Sequence, residues 1–221
     1  MDGVLADFGQ AFHEVDVRLF GPGPGLSADQ PEKEEEQQGV PKKDEGQSPL
    51  DLRRRHNLIW KAIRSTPGFW SSLKPTEEGA VRRIHELMLQ HRWEVFFITQ
   101  RPKTEGDTVQ RQTQRWLVEQ GFDLPSVLVI GGSRGAAAGA MRLDYHVDDS
   151  PQNCLDVMTA SSAKPILIVP ENDEATVASA RKLGIGTARS IGECLDVLEQ
   201  ATTARNQPGL LARIANLVGW K

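Results

Sequence analysis

Apolar residues recur along this chain with two periods. Val95-Phe96-Phe97-Ile98-Thr99, Ser126-Val127-Leu128-Val129-Ile130, Tyr145-His146-Val147 and Ile166-Leu167-Ile168-Val169 are short runs, apolar on successive positions. Such runs suit strands covered on both faces, as in a parallel sheet. Helical segments separate them. Thr76 reads as an N-cap, with Glu77 and Glu78 at the positive end of the helix dipole and Val81, Ile84 and Met88 following at helical spacing. Trp116 and Leu117 lie on a second helix that ends near Gly121. Ser150 caps a third, with Pro151 at its first position, and Ser190 with Glu193 forms a capping-box pattern before Leu195 and Leu198. The order β-α-β-α-β-α-β-α predicts right-handed crossovers and an α/β fold with a doubly wound parallel sheet.

One stretch breaks the pattern. Between Gly21 and Pro49 the only aliphatic residues are Leu26, Ala28 and Val40, and the rest is Gly-Pro alternation followed by Glu, Gln, Lys and Asp. Burial there cannot offset the entropy of ordering, so the expectation is a disordered surface loop.

The 221 residues are 38% hydrophobic and 25% charged, enough for one domain of ordinary size with a small insert. The net charge of −4, from 26 basic and 30 acidic residues, leaves no excess to neutralise a phosphate backbone, so no nucleic-acid partner is expected. No apolar run approaches the roughly 20 residues that span a bilayer. Cys154 and Cys194 are too far apart in sequence to form a CxxC pair, and Met1 to Gly21 lacks the form of a secretory signal. A cytoplasmic protein without membrane contact is the default expectation.

Ligands of open parallel sheets bind at the carboxyl ends of strands. Polar residues at those ends are Thr99, then Gly131 to Gly135, then Asp148 and Asp149, and the N-terminus adds Asp2-Gly3-Val4-Leu5-Ala6-Asp7-Phe8. Adjacent carboxylates repel unless a cation or a proton intervenes, and an oxygen-only set of this kind favours Mg²⁺.

Taken in order, Asp2-Gly3-Val4-Leu5-Ala6-Asp7-Phe8, Ile98-Thr99, Arg134 and Val147-Asp148-Asp149 resemble the four motifs of the haloacid dehalogenase (HAD) superfamily. The chain is most similar to its 5'(3')-deoxyribonucleotidase branch, where the first motif reads like DMDGVLADF and the last strand ends in DD followed by Pro and Asn. The resemblance covers Met1 to Phe8 and roughly Phe69 to Val169. It implies a HAD-like Rossmannoid core over 1–7 and 74–205, with a small helical cap over 8–73 inserted after the first motif. Helices near Asp7 to Leu19 and Leu52 to Ser65 would build the cap, with the tract at about 21–49 looping between them.

The resemblance also implies a mechanism. An aspartate attacks phosphorus to form an aspartyl-phosphate, and a second aspartate protonates the leaving alkoxide, then activates water. Asp2 aligns with the second of these and is also a metal ligand through its backbone carbonyl. The nucleophile, and the strand leading into it, would stand before Met1. Thr99 is expected on a phosphate oxygen, Arg134 in the place usually held by Lys, and Asp148 and Asp149 on Mg²⁺. Gln100 and Arg101 are expected to reach the substrate, a small phosphorylated molecule, with deoxynucleoside monophosphates foremost.

Each residue also has a structural alternative. Asp2 and the Asp148-Asp149 pair could cap helices, Thr99 could simply end a strand, and Arg134 and Arg101 could be solvated. His146 reads as a packed strand residue. Trp60 and Phe69-Trp70 either stack on a base or pack the cap on the core. The competing functional reading is a non-catalytic binding or regulatory module that has lost the nucleophile. A receiver-like signalling domain carries similar residues, but in the opposite order. The segment 206–221 has Leu211, Ile214, Leu217 and Val218 at helical spacing, and either packs on the core or pairs two copies into a homodimer.

Overall fold

A computed structural model describes residues 1–23, 25–26, 49–170 and 173–204. The predicted C-terminal helix at 206–221 and most of the Gly- and Glu-rich tract lie outside the described residues.

Among the described residues the fold is α/β, with eight α-helices and five parallel strands. Two helices come first, α1 (Phe8–Phe20) and α2 (Pro49–Arg64). A 3-10 turn at Phe69–Ser71 leads to α3 (Ala80–His91). Then follow β1 (Phe96–Thr99), α4 (Val109–Glu119), β2 (Ser126–Val129), α5 (Arg134–Met141), β3 (Tyr145–Asp148), α6 (Pro151–Ala160) and β4 (Lys164–Ile168). The chain closes with α7 (Glu174–Leu183), β5 (Gly186–Ala188) and α8 (Ile191–Ala204). No helix is long and apolar enough to cross a membrane among the described residues.

The strands form two ladders where the sequence predicts one sheet. β1 pairs with β2, Thr99 standing opposite Val129. β3, β4 and β5 pair in that order, Asp148 standing opposite Leu167. In β4 successive side chains face opposite ways, as strand geometry requires. Ile166 packs with Cys194 and Val197 of α8, while Leu167 packs with Cys154 of α6 and Ala180 of α7. The second sheet is therefore covered by helices on both faces.

Local chemistry sets most helix starts. Asp7, Thr108, Ser133, Ser150 and Asp173 each accept the backbone N–H three residues on. Pro151 follows Ser150 as predicted. At α8 the Ser190 hydroxyl accepts from Glu193 N, and Glu193 reaches back to the N–H of Arg189. α3 departs from its predicted start. It begins after Gly79, and Thr76 instead donates its hydroxyl to Val4 O at 2.7 Å and its backbone N–H to Leu5 O at 2.9 Å. Thr76 is thus spent on holding the N-terminal segment. The apolar pattern does not predict α7 and β5 between Val169 and Ser190. α7 buries only Ala180, and β5 is three small residues, so neither carries an apolar pattern that periodicity detects.

Helices α1 and α2 share a core with the rest of the chain. Phe12 and Val15 of α1, Ile59 and Ile63 of α2, and Trp70 join Val81, Phe97, Trp116 and Leu195 in one apolar cluster. Between α1 and α2, the fully buried Asp16 accepts two hydrogen bonds from Arg55, at 2.6 and 2.8 Å.

Candidate functional site

The carboxyl ends of β1 and β3 open onto a cavity of about 650 Å³. Asp2, Thr99, Gln100, Arg101, Arg134, Asp148 and Asp149 all line it. Seven residues from four separate stretches of sequence therefore meet at one place. Phe8, Trp60 and Trp70 form an apolar wall on the same cavity.

Asp2 and Gly3 bridge the two ladders at this rim. Asp2 Oδ2 accepts from Thr99 Oγ1, at the end of β1, at 3.3 Å. Gly3 has φ +71°, and a Cβ placed on it would overlap the carboxylate of Asp149, just past β3. Only glycine allows both that backbone conformation and that approach.

Asp2 is held on its other side by Arg101. Arg101 Nε donates to Oδ1 at 3.1 Å and Oδ2 at 3.0 Å, and Nη2 donates to Oδ1 at 2.6 Å. Burial works against ionisation of Asp2, but the charge and hydrogen bonds of Arg101 outweigh it, and its carboxyl lies below the usual range.

Asp148 is buried and faces three donors. Its Oδ1 accepts from Ser150 N at 2.9 Å and Asn153 Nδ2 at 3.0 Å, and Oδ2 lies 3.2 Å from His146 Nε2. Burial again opposes ionisation, and the hydrogen bonds from His146, Asn153 and Ser150 reverse it, bringing the carboxyl down to about 2. Asp149 is exposed at the rim. His146 is the packed strand residue that was expected, with its ring turned onto Asp148.

Arg134 opens α5 after the turn Gly131-Gly132-Ser133. Its Nη1 is buried and has no hydrogen-bond partner. A buried donor left unpaired is costly, and an anion in the cavity would satisfy it.

Whether these residues suit Mg²⁺ turns on two observations. Asp2, Asp148 and Asp149 line the same cavity. Among the described residues, however, no three acidic, imidazole or thiol side chains close on one point. Mg²⁺ asks for less, since it takes one or two carboxylates and fills its shell with water and substrate oxygens. Asp148 and Asp149, both on the cavity lining, are the carboxylates that would hold such an ion.

Several contributors were invisible in the sequence. Thr113 and Gln112, both fully buried on α4, hold Arg101 and the backbone of Trp70. Polar residues inside a helix carry no periodic signal that separates them from a solvated face. Asn153 was visible only as part of the last motif. Both cysteines are buried with their thiols pushed up, Cys194 to about 12, and neither lines the cavity.

No protein-family model matches the chain, and no curated protein matches it.

Proposed function

We propose that this chain belongs to a Mg²⁺-dependent phosphomonoesterase of HAD type, a hydrolase acting on small phosphorylated substrates, with (deoxy)nucleoside 5'(3')-monophosphates foremost. The observation that carries the reading is the meeting of Asp2, Thr99, Arg134, Asp148 and Asp149 around one cavity at strand ends. The unpaired Nη1 of Arg134 supports an anionic guest.

In this reading the nucleophilic aspartate stands two residues before Asp2, ahead of Met1. It attacks phosphorus while the bond to the leaving alkoxide breaks, and Asp2 delivers a proton to that oxygen. Asp2 then takes a proton from the water that cleaves the aspartyl-phosphate. Arg134 and Thr99 hold phosphate oxygens as charge builds on them. Asp148 and Asp149 hold Mg²⁺, which offsets phosphate charge when bound. The doubly wound arrangement belongs to the same reading, with a strand ahead of Met1 lying between β1 and β3, which no ladder joins among the described residues. Phe8 and Trp60 line the same cavity and are the aromatic side chains that a base would meet.

The test is phosphate release from dUMP, dTMP and a broad phosphomonoester panel, by a polypeptide that carries the aspartate two residues before Asp2. Mg²⁺-dependent release that disappears in Asp2→Asn is expected. Absence of release from every substrate would contradict the reading.

One observation favours the alternative of a non-catalytic binding module. Arg101 holds Asp2 ionised, whereas a general acid must carry a proton. That alternative predicts Mg²⁺-dependent ligand binding without turnover.

A further inference from the structure

We infer that Arg101 is a positioning residue that clamps the Asp2 carboxylate, and that Arg134 alone of the two arginines receives the phosphate. The first half stands on geometry, and its catalytic consequence rests on the phosphatase reading above.

The Arg101 side chain is 1% exposed, and all three of its nitrogens are engaged. Nε and Nη2 form the fork on Asp2, and Nη1 donates to Thr113 Oγ1 at 2.9 Å. Thr113 is itself fixed, since its hydroxyl donates to Val109 O at 2.8 Å. The guanidinium lies over the ring of Trp70, 4.9 Å from the centroid. Trp70 is held in turn, its indole N–H on Pro102 O at 3.0 Å and its backbone N–H on Gln112 Oε1 at 3.0 Å. A guanidinium held at both ends and on one face has no spare fork for a phosphate. Taking one would mean leaving Asp2 inside a poorly solvated pocket, which is costly. Arg134 is the opposite case, with a buried donor that nothing satisfies. Without Arg101, Asp2 keeps only the 3.3 Å contact from Thr99 and is free to turn.

The experiment compares the full chain with Arg101→Met, Arg101→Lys and Thr113→Val. Arg101→Lys keeps the charge without the fork. Thr113 is fully buried and does not line the cavity, so its variant reaches the cavity through Arg101. Crystal structures come first. The clamp predicts that Asp2 swings off Thr99 in Arg101→Met, or in Arg101→Lys if the first does not fold. An unmoved Asp2 overturns it, whatever the protein turns out to catalyse. Calorimetry with inorganic phosphate and Mg²⁺ comes second. Affinity should stay within about twofold in the Arg101 variants, a negligible free energy, and fall about tenfold or more in Arg134→Ala. A tenfold loss in Arg101→Lys would make Arg101 a phosphate ligand and overturn the assignment. In the active polypeptide, Thr113→Val should lower kcat with KM unchanged. A raised KM at unchanged kcat would count against positioning. If the parent neither binds phosphate nor releases it, the functional reading fails, and the crystal structures still decide the clamp.

Discussion

Asp148 concentrates three hydrogen bonds on one buried carboxylate, and that makes its ionisation a contributor to stability. Its folded pKa of about 2 lies below the ordinary 3.8, so the folded state favours the ionised form. The contribution is complete above about pH 5 and is lost as the pH falls through 3.8 and then through about 2, a swing of about 2 kcal/mol. Urea midpoints measured across that window should fall in the parent and flatten in Asp148→Asn. Equal slopes in the two proteins would remove Asp148 as their cause. At this scale the sequence named the acids and basic residues of the cavity, because strand ends are readable from apolar runs. It did not reveal their partners. Nothing in the stretch Gln112-Thr113 marks it as the back wall of Arg101, and the pairing of Arg101 with Asp2 joins residues 99 positions apart.

Two helix contacts carry stability predictions of their own. The Asp16–Arg55 pair ties α1 to α2 with Asp16 fully buried, so removing one partner strands a charge. Arg55→Met should cost roughly 3–5 kcal/mol in urea unfolding, and adding Asp16→Leu to it should recover most of that. A near-neutral single variant would show that the pair is solvated. α5 and α6 approach through Gly135, where a Cβ would overlap Asp156 O and Ala160 Cβ. Gly135→Ala should therefore lower stability by about 1–3 kcal/mol, read in the same assay, and an unchanged midpoint would mean that the helices separate freely. Element by element, the short polar caps were the legible part. Ser150, Ser190 and the strand boundaries follow from local chemistry that acts over three or four residues. Thr76 looked like another cap and is not, because its hydroxyl is claimed by Val4 O, 72 positions away. Long-range hydrogen bonds of that kind leave no trace in a local pattern.

For the molecule as a whole, chain order and spatial order differ in the way that makes a site. Residues 2, 99, 134, 148 and 149 are scattered along the sequence, and the ends of parallel strands together with the N-terminal segment held by Thr76 bring them to one rim. Aromatic residues of α1, α2 and the turn after α2 line the same cavity, and these elements share one apolar cluster with β1, α4 and α8. The α/β class was legible from periodicity, whereas the division into two ladders was not, since pairing partners are set by tertiary packing. The proposed function requires that the cavity receive a phosphoryl group at Arg134 and Thr99 with a divalent ion nearby. Calorimetric titration of inorganic phosphate into the full chain, with and without Mg²⁺ and against Arg134→Ala, tests this most directly. Saturable binding that needs Mg²⁺ and weakens at least about tenfold in the variant is the predicted result. Heat that is absent in the parent, or indifferent to Arg134, would contradict it.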